Sequence, residues 1–297
     1  MAETIAFIGL GNMGLPMAAN LVKAGYKVQG FDVVSAANAA AANVGAKIAA
    51  SASDAVKGAD IAISMLPNGR LVLDLYESGI LQAAAPGTLF IDCSTIDVDS
   101  ARAAHGLAAA AKMESLDAPV SGGVGGAQAA TLTFMAGGSE EAFARAKPVL
   151  EHMGRKIVHC GGAGAGQAAK ICNNMILGIS MIAVGEAFVL AEKLGLSHQA
   201  LFDVASTSSG QCWALTTYCP VPGPVPTSPA NNGYKPGFAS ALMLKDLLLS
   251  QEAAESAGAA TELGHHAAEI YQKFVSAGEG KMDFSAIINA IRSASSN

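Results

Sequence analysis

The sequence predicts an α/β domain built on a mostly parallel, doubly wound sheet, followed by an all-helical domain. Through the first half, short apolar strands alternate with helical stretches. After residue 190 that alternation stops, and only helical patterns and loops remain. Between the two lies GGAGAGQAAKICNNMILGISMIAVGEAFVL, residues 161–190, with four glycines in its first six positions. An apolar helical run of about five turns follows them. The first domain reads as residues 1–162 and the second as 163–297, with 163–192 as the helix that joins them. A chain of 297 residues is long enough for both.

The first domain opens on a short apolar strand, Thr4 to Ile8. Gly9-Leu10-Gly11-Asn12-Met13-Gly14 follows at once, then a helix through Ala24 with Leu15, Ala18, Leu21 and Val22 at its apolar positions. Gly25 ends the helix, Lys27 to Phe31 is the next strand, and Asp32 closes it. Strand, glycines, helix, strand and terminal acid together make the dinucleotide fingerprint of a Rossmann domain. Gly9 permits the tight turn. Gly11 lets the backbone approach a pyrophosphate at the helix N-terminus, and Gly14 lets helix and strand pack. Asp32 accepts hydrogen bonds from the adenine ribose hydroxyls. A carboxylate there repels a 2′-phosphate, and Val33, Val34 and Ser35 supply no arginine. The expected cofactor is therefore NAD rather than NADP.

The alternation continues. Ile61 to Met65 reads as a strand ending in Leu66-Pro67-Asn68, and Thr88 to Ile91 as one ending in Asp92-Cys93-Ser94-Thr95. Ligands of a parallel sheet sit beyond such ends, so Leu66, Pro67, Asn68 and Thr95 are candidate cofactor contacts. Each equally fits a plain connecting loop. A helix from Val98 to Ala111 leads to a strand near Met113 to Asp117. The loop from Ala118 to Gly126 holds Ser121, Gly122 and Gly123, whose amides and hydroxyl can converge on an anion. A simple hairpin connection fits too, because Thr131 to Ala136 is a strand. Glu140 to Met153 reads as a helix and Ile157 to His159 as the last strand.

In the joining helix Lys170 and Asn174 stand four apart, on one face. Gly178 and Gly185 extend that face with almost no bulk, so another body can approach closely. Ile171, Met175, Ile179, Ile182 and Phe188 seek burial on the other faces, and a central, fully buried helix is expected. Two readings of Lys170 stand side by side. It snorkels at a helix start, or it is desolvated, which favours the neutral amine and suits proton transfer. The run is long enough to span a membrane, but Asn173, Asn174 and Glu186 and the lack of basic flanks argue against that. Further on, Ser197 is a helix N-cap, Ser208-Ser209-Gly210 breaks the chain, and five prolines make Cys219 to Pro229 an extended loop. Phe238 to Ser256, Glu262 to Ala277 and Phe284 to Ile291 are helical. Lys245, with Asp246, interrupts an apolar run, either as a solvated lysine or as a functional one.

The net charge of −6 and the absence of a basic run argue against a nucleic-acid partner. Five cysteines with no CxxC pair indicate reduced thiols in a cytosol-like compartment. No signal peptide is visible, so a cytoplasmic location is expected, or the mitochondrial matrix if a transit peptide has been removed. The six histidines show no paired-ligand spacing, and no metal is expected. No GxSxG elbow appears. The chemistry then falls mainly to lysine and amide groups.

Several stretches together resemble the β-hydroxyacid dehydrogenase family. They are FIGLGNMGLPMAANLVKAGY at 7–26, DAPVSGG at 117–123, GAGQAAKICNN at 164–174, SSGQCWALTTYCPVPG at 208–223, NNGYKPGF at 231–238 and LMLKDLLLSQEAA at 242–254. The resemblance implies that Lys170 is the general acid/base and Asn174 its companion on the substrate. Ser121, Gly122 and Gly123 match the loop that holds a substrate carboxylate. Lys245 matches a lysine near nicotinamide and substrate, Asp246 its neighbour, and Trp213 and Phe238 wall the substrate from water. The implied reaction is NAD-dependent oxidation of 3-hydroxyisobutyrate to methylmalonate semialdehyde, a step of valine breakdown. L-Serine, 3-hydroxypropionate and tartronate semialdehyde are the alternative substrates, and a non-catalytic cofactor-binding module is the distant one. The implied assembly is a homodimer or homotetramer built through the helical domain. The proline-rich loop around residues 221–230 departs from the family's pattern.

Overall fold

The computed structural model describes residues 3–295. Its contacts cluster into two compact units that divide between Lys170 and Ile171.

The first unit is built on one sheet. Its strands are β1 (Thr4–Ile8), β2 (Lys27–Phe31), β3 (Lys47–Ile48), β4 (Ile61–Ser64), β5 (Leu89–Asp92), β6 (Glu114–Asp117), β7 (Val120–Ser121), β8 (Leu132–Gly138) and β9 (Gly154–Gly161). They lie in the order β3-β2-β1-β4-β5-β6-β8-β7, with β9 paired to β8. The pairings from β3 through β6 are parallel, the doubly wound arrangement the sequence predicts. β8 runs antiparallel to β6 and β7. The helices between strands are α1 (Gly14–Lys23), α2 (Ser35–Asn43), α3 (Ala52–Ala55), α4 (Gly69–Leu75), α5 (Leu81–Ala83), α6 (Val98–Ala110), α7 (Gly123–Gln128) and α8 (Glu140–Leu150).

Side chains of a strand alternate between faces, so each central strand feeds two cores. Ile5 and Phe7 join Ile61, Ile63, Leu89 and Ile91 against Met17 and Leu21 of α1 and Val149 and Leu150 of α8. Ala6 and Ile8 join Ala62 and Phe90 against Tyr76, Ile80 and the alanines 101, 104 and 108 of α6. Because both faces are covered, β4 and β5 are buried at every position. Helix starts are capped locally by Ser51, Asn68, Asp97 and Ser139, whose side-chain oxygens accept backbone N–H bonds. The glycine stretch after Ser121, expected as an open loop, winds into α7 instead. Gly122 and Gly123 take positive φ of 134° and 61° at its start. Asn20 of α1 then donates to Ala127 O at 2.7 Å, and Ala127 is buried. This tertiary contact favours a helical turn that a glycine-rich sequence does not advertise.

The carboxyl ends of β4 and β5 are tied through Asp92. Ser64 Oγ and Ser94 Oγ donate to its Oδ1 at 2.7 and 2.6 Å. Its Oδ2 is buried with no hydrogen-bond partner among the described residues. Burial therefore outweighs the serine bonds and raises the Asp92 carboxyl from an ordinary 3.8 to about 6, with Asp117 adding a smaller push upward.

The second unit is helical. It holds most of α9 (Ala165–Lys193), then α10 (His198–Ala205), α11 (Trp213–Thr216), α12 (Ser240–Ala257), α13 (Glu262–Ser276) and α14 (Ile287–Ala294). Ser197 caps α10 as expected. Met181, Phe188, Met243, Leu247, Tyr271, Phe284 and Ile288 share one core. A Cβ at Gly178 would stand 3.0 Å from Leu247 and 3.3 Å from Met243, and one at Gly185 would stand 3.1 Å from Ile291. The small residues thus let α12 and α14 close on α9. The expectation of a fully buried α9 is corrected: Ile176 is 64% exposed and Leu190 60%. Only Asn173, Glu186 and Lys193 mark that outer face, too sparse a polar stripe for periodicity to reveal it. By length and composition α9 also passes as a membrane span, but its packing against Leu247, Met243 and Ile288 is that of a core helix. The proline-rich loop is packed rather than loose. Prolines lack N–H donors, and the loop's carbonyls are met by side chains: Tyr234 Oη on Pro220 O, Ser228 Oγ on Cys219 O and Asn231 Nδ2 on Val225 O, at 2.6–2.9 Å.

Gly178→Val should lower the urea midpoint, because overpacking of this kind costs about 1–3 kcal/mol; an unchanged midpoint would contradict the close approach of α9 and α12. A raised Asp92 pKa means that its stabilising contribution is full below the ordinary value and is lost as pH rises through about 6. The stability of Asp92→Asn relative to the parent should therefore improve by up to roughly 3 kcal/mol between pH 4 and pH 7. Urea titrations at both pH values measure it, and a flat or falling difference refutes it.

Candidate active site

The glycine turn sits at the carboxyl end of β1. Gly9 has φ +92°, and a Cβ there would lie 2.2 Å from Met65 O. A Cβ on Gly14 would lie 1.9 Å from Gly9 O, so only glycine lets α1 pack this closely. At Gly11 a Cβ would meet nothing within 4 Å: it faces open space, with Gly11 and Asn12 exposed. α1 begins at Gly14 with no side-chain cap at Met13. Leu15 N donates to Gly11 O and Pro16 has no N–H, so an anion would be met by the N–H groups of the glycine turn before them. That is a cradle for a pyrophosphate. Asp32 stands at the end of β2, where its Oδ2 accepts from Leu10 N and its Oδ1 from Val34 N, both at 2.7 Å. It therefore braces the glycine turn, and its remaining lone pairs suit ribose hydroxyls. These residues fit a dinucleotide.

The other expected cofactor contacts lie at neighbouring strand ends. Leu66 N donates to Ser94 Oγ at 2.8 Å, which joins the loops after β4 and β5. Pro67 and Asn68 are exposed, but the Asn68 side-chain oxygen is engaged as the N-cap of α4, accepting from Leu71 N. Thr95 is half-buried beside buried Ser94 and Ile96.

Lys170 lies one turn and a half into α9 and is buried, with 7% of its surface exposed. The start of that helix is held by residues the sequence analysis did not single out. Asp117 Oδ1 accepts from Gly164 N at 2.8 Å and Oδ2 from Gln167 N at 2.9 Å. His105 Nε2 lies 2.9 Å from the same Oδ1, and His105 Nδ1 lies 2.8 Å from Ser115 Oγ. A carboxylate only accepts, so Nε2 carries the proton and Nδ1 accepts from the serine. Fully buried Gln167 receives Ile96 N at 3.1 Å and donates to Ser94 O at 2.7 Å. Asp117 and Gln167 both belong to motifs quoted above, DAPVSGG and GAGQAAKICNN, which is the only signal by which the sequence points to them. Ser121, half-buried on β7, and Gly122 and Gly123 follow Asp117 by four to six residues.

In the helical unit Asn174 and Asp246 are both buried and joined by Asn174 Nδ2 to Asp246 Oδ2 at 2.5 Å. Asn174 Oδ1 accepts from Asn173 at 3.0 Å. Among the described residues Asp246 Oδ1 has no hydrogen-bond partner, but the Lys245 ammonium stands 3.5 Å away, a Coulombic contact. Trp213 is 50% exposed and stacks on Tyr218 at 4.8 Å, which stacks on Phe284 at 5.2 Å. Half-buried Phe238 meets Phe284 edge-on. Tyr218 donates to Asp283 Oδ2 at 2.9 Å, and burial with the Asp283 charge drives its hydroxyl far up. No group of three metal-ligating side chains occurs among the described residues. All five cysteines are free thiols.

Residues 4–162 match a family model described as the NAD binding domain of 6-phosphogluconate dehydrogenase. Residues 164–291 match one described as NAD-binding of NADP-dependent 3-hydroxyisobutyrate dehydrogenase. The chain is 59% identical over 289 residues to a probable 3-hydroxyisobutyrate dehydrogenase of Mycobacterium tuberculosis, covering 97% of this chain and 98% of that one. It is 48% identical over 287 residues to an NAD-dependent L-serine dehydrogenase of Pseudomonas aeruginosa, covering 96% of each. A solved structure of the Mycobacterium tuberculosis 3-hydroxyisobutyrate dehydrogenase with L-serine matches with a TM-score of 0.95 at 59% identity, over 98% of this chain and all of that one. With a dinucleotide cradle on one unit and this likeness along nearly its whole length, the chain belongs to the β-hydroxyacid dehydrogenase family, among its 3-hydroxyisobutyrate dehydrogenases, and is an NAD-dependent enzyme.

Proposed function

We propose that the chain oxidises 3-hydroxyisobutyrate to methylmalonate semialdehyde, with Lys170 as general acid/base. The observation that carries this reading is the buried Lys170 amine on the turn after Gln167, whose side chain holds the backbone on either side of Thr95. Bound NAD supplies the hydride acceptor. Lys170 takes the hydroxyl proton as the alcohol is oxidised and returns it in the reverse direction. Ser121 Oγ and the amides of Gly122 and Gly123 hold the carboxylate, which fixes the carbon to be oxidised. Asn174, oriented by Asp246, donates its second N–H to the substrate. Lys245 supplies a positive charge for the acid group, and Trp213 and Phe238 supply apolar walls.

Self-association through the helical unit into a dimer or tetramer belongs to the same reading. Exposed Ile176, Leu190 and Leu194 on or beside α9 support it. The five free thiols and the bacterial relatives support a cytoplasmic location.

L-Serine is the second substrate reading, favoured by the Pseudomonas aeruginosa relative and by the L-serine in the solved structure. Both acids carry a hydroxyl on the β-carbon, so the same groups serve either. Initial rates of NADH formation should give 3-hydroxyisobutyrate a higher kcat/KM than L-serine, 3-hydroxypropionate or the alcohol of tartronate semialdehyde. A faster reaction with serine would reverse the choice. Lys170→Ala should keep NAD affinity while kcat falls by ~10²–10⁴ or more. Turnover near that of the parent would remove Lys170 from the chemistry.

A further inference from the structure

The first turn of α9 is held more tightly than packing alone requires. Its leading N–H groups have no partner within the helix, and two of them end on a carboxylate from β6 rather than on a local cap: Gly164 N on Asp117 Oδ1 and Gln167 N on Oδ2. His105 adds a third N–H on Oδ1 and is itself held by Ser115. Asp117 is buried, as is Gln167. The Gln167 side chain then reaches the loop after β5 with both of its polar atoms. Gln167 and Lys170 are three residues apart, so they share a face of the helix. Every rotation or slide of this turn moves the Lys170 amine and breaks bonds at both ends of Gln167.

We propose that Asp117 and Gln167, supported by His105, are positioning residues for the oxidation: they set where the Lys170 amine stands relative to the loops that carry Thr95 and Ser121. This rests on the reading of Lys170 as the acid/base. The clamp is assigned no contact with substrate or cofactor. It acts by fixing the one helical turn on which the proton-transferring group is mounted.

The substitution Asp117→Asn is nearly isosteric and selective. Its oxygen can still accept from Gly164 and His105, while its amide turns a donor toward the Gln167 N–H. In the full chain with NAD and 3-hydroxyisobutyrate, kcat should fall by about 10- to 100-fold, the scale of a small misplacement. The KM for substrate and the affinity for NAD should stay within about twofold, because interactions common to ground and transition states are kept. The limb of the pH–rate curve that Lys170→Ala abolishes should shift. In the Lys170→Ala background, the further loss from Asp117→Asn should vanish, since residues acting through one group are not additive. Gln167→Glu, which sets a carboxylate oxygen against Ser94 O, should show the same pattern and carries the test if Asp117→Asn does not fold. A folded variant with parental kcat and pH dependence overturns the proposal, and so does an equal loss in the Lys170→Ala background. High activity in Lys170→Ala alone overturns the acid/base reading and the proposal with it.

Discussion

The place where α9 leaves the sheet depends on backbone touching backbone. A Cβ on Gly166 would lie 2.3 Å from Met135 O and 2.7 Å from Asp117 O. A Cβ on Gly137 would lie 2.6 Å from Asp117 Oδ1 and 2.7 Å from Gly166 N. Any side chain at either position pushes the helix off the β6–β8 edge. The Asp117 carboxylate would then lose donors while still buried, a state far costlier than the original bonds are worth. Glycine at these two positions is therefore a condition for the polar clamp, and the clamp is a condition for a defined position of Lys170.

Two buried aspartates of the same sheet are held by different kinds of partner. Asp117 receives three N–H bonds spread over both oxygens. Among the described residues Asp92 receives its bonds on Oδ1, and its Oδ2 has no partner. At Asp92 desolvation outweighs these bonds and lifts the carboxyl to about 6. The difference follows from geometry. Asp117 meets the start of a helix, a source of unpaired N–H groups, whereas Asp92 meets two hydroxyls.

The helical unit uses a different device for the same end. Asn174 is a buried amide whose orientation follows from the acceptor-only carboxylate of Asp246. Lys245 balances that charge from 3.5 Å. A neutral side chain is thereby presented in one orientation without a water shell. Around it the core closes through glycines 178 and 185, where bulk on α9 would hold α12 and α14 apart.

The dinucleotide turn was legible residue by residue, because each glycine there answers a local need: a positive φ at Gly9 and close approach at Gly14. The parallel sheet was legible because strands covered on both faces read as unbroken apolar runs. The likeness of whole motifs marked Lys170, Asn174 and Ser121. The exposed face of α9, the winding of Gly123–Gln128 into a helix and the capping role of Asn68 were settled by folding. So was the clamp on α9, whose partners lie 47, 50, 71 and 73 residues apart. Periodicity and turn chemistry report only on neighbours within a turn or a hairpin. A hydrogen bond between distant segments has no spacing to read, so the chain alone determined the scaffold and its chemical groups, and tertiary packing decided which of them hold the others in place.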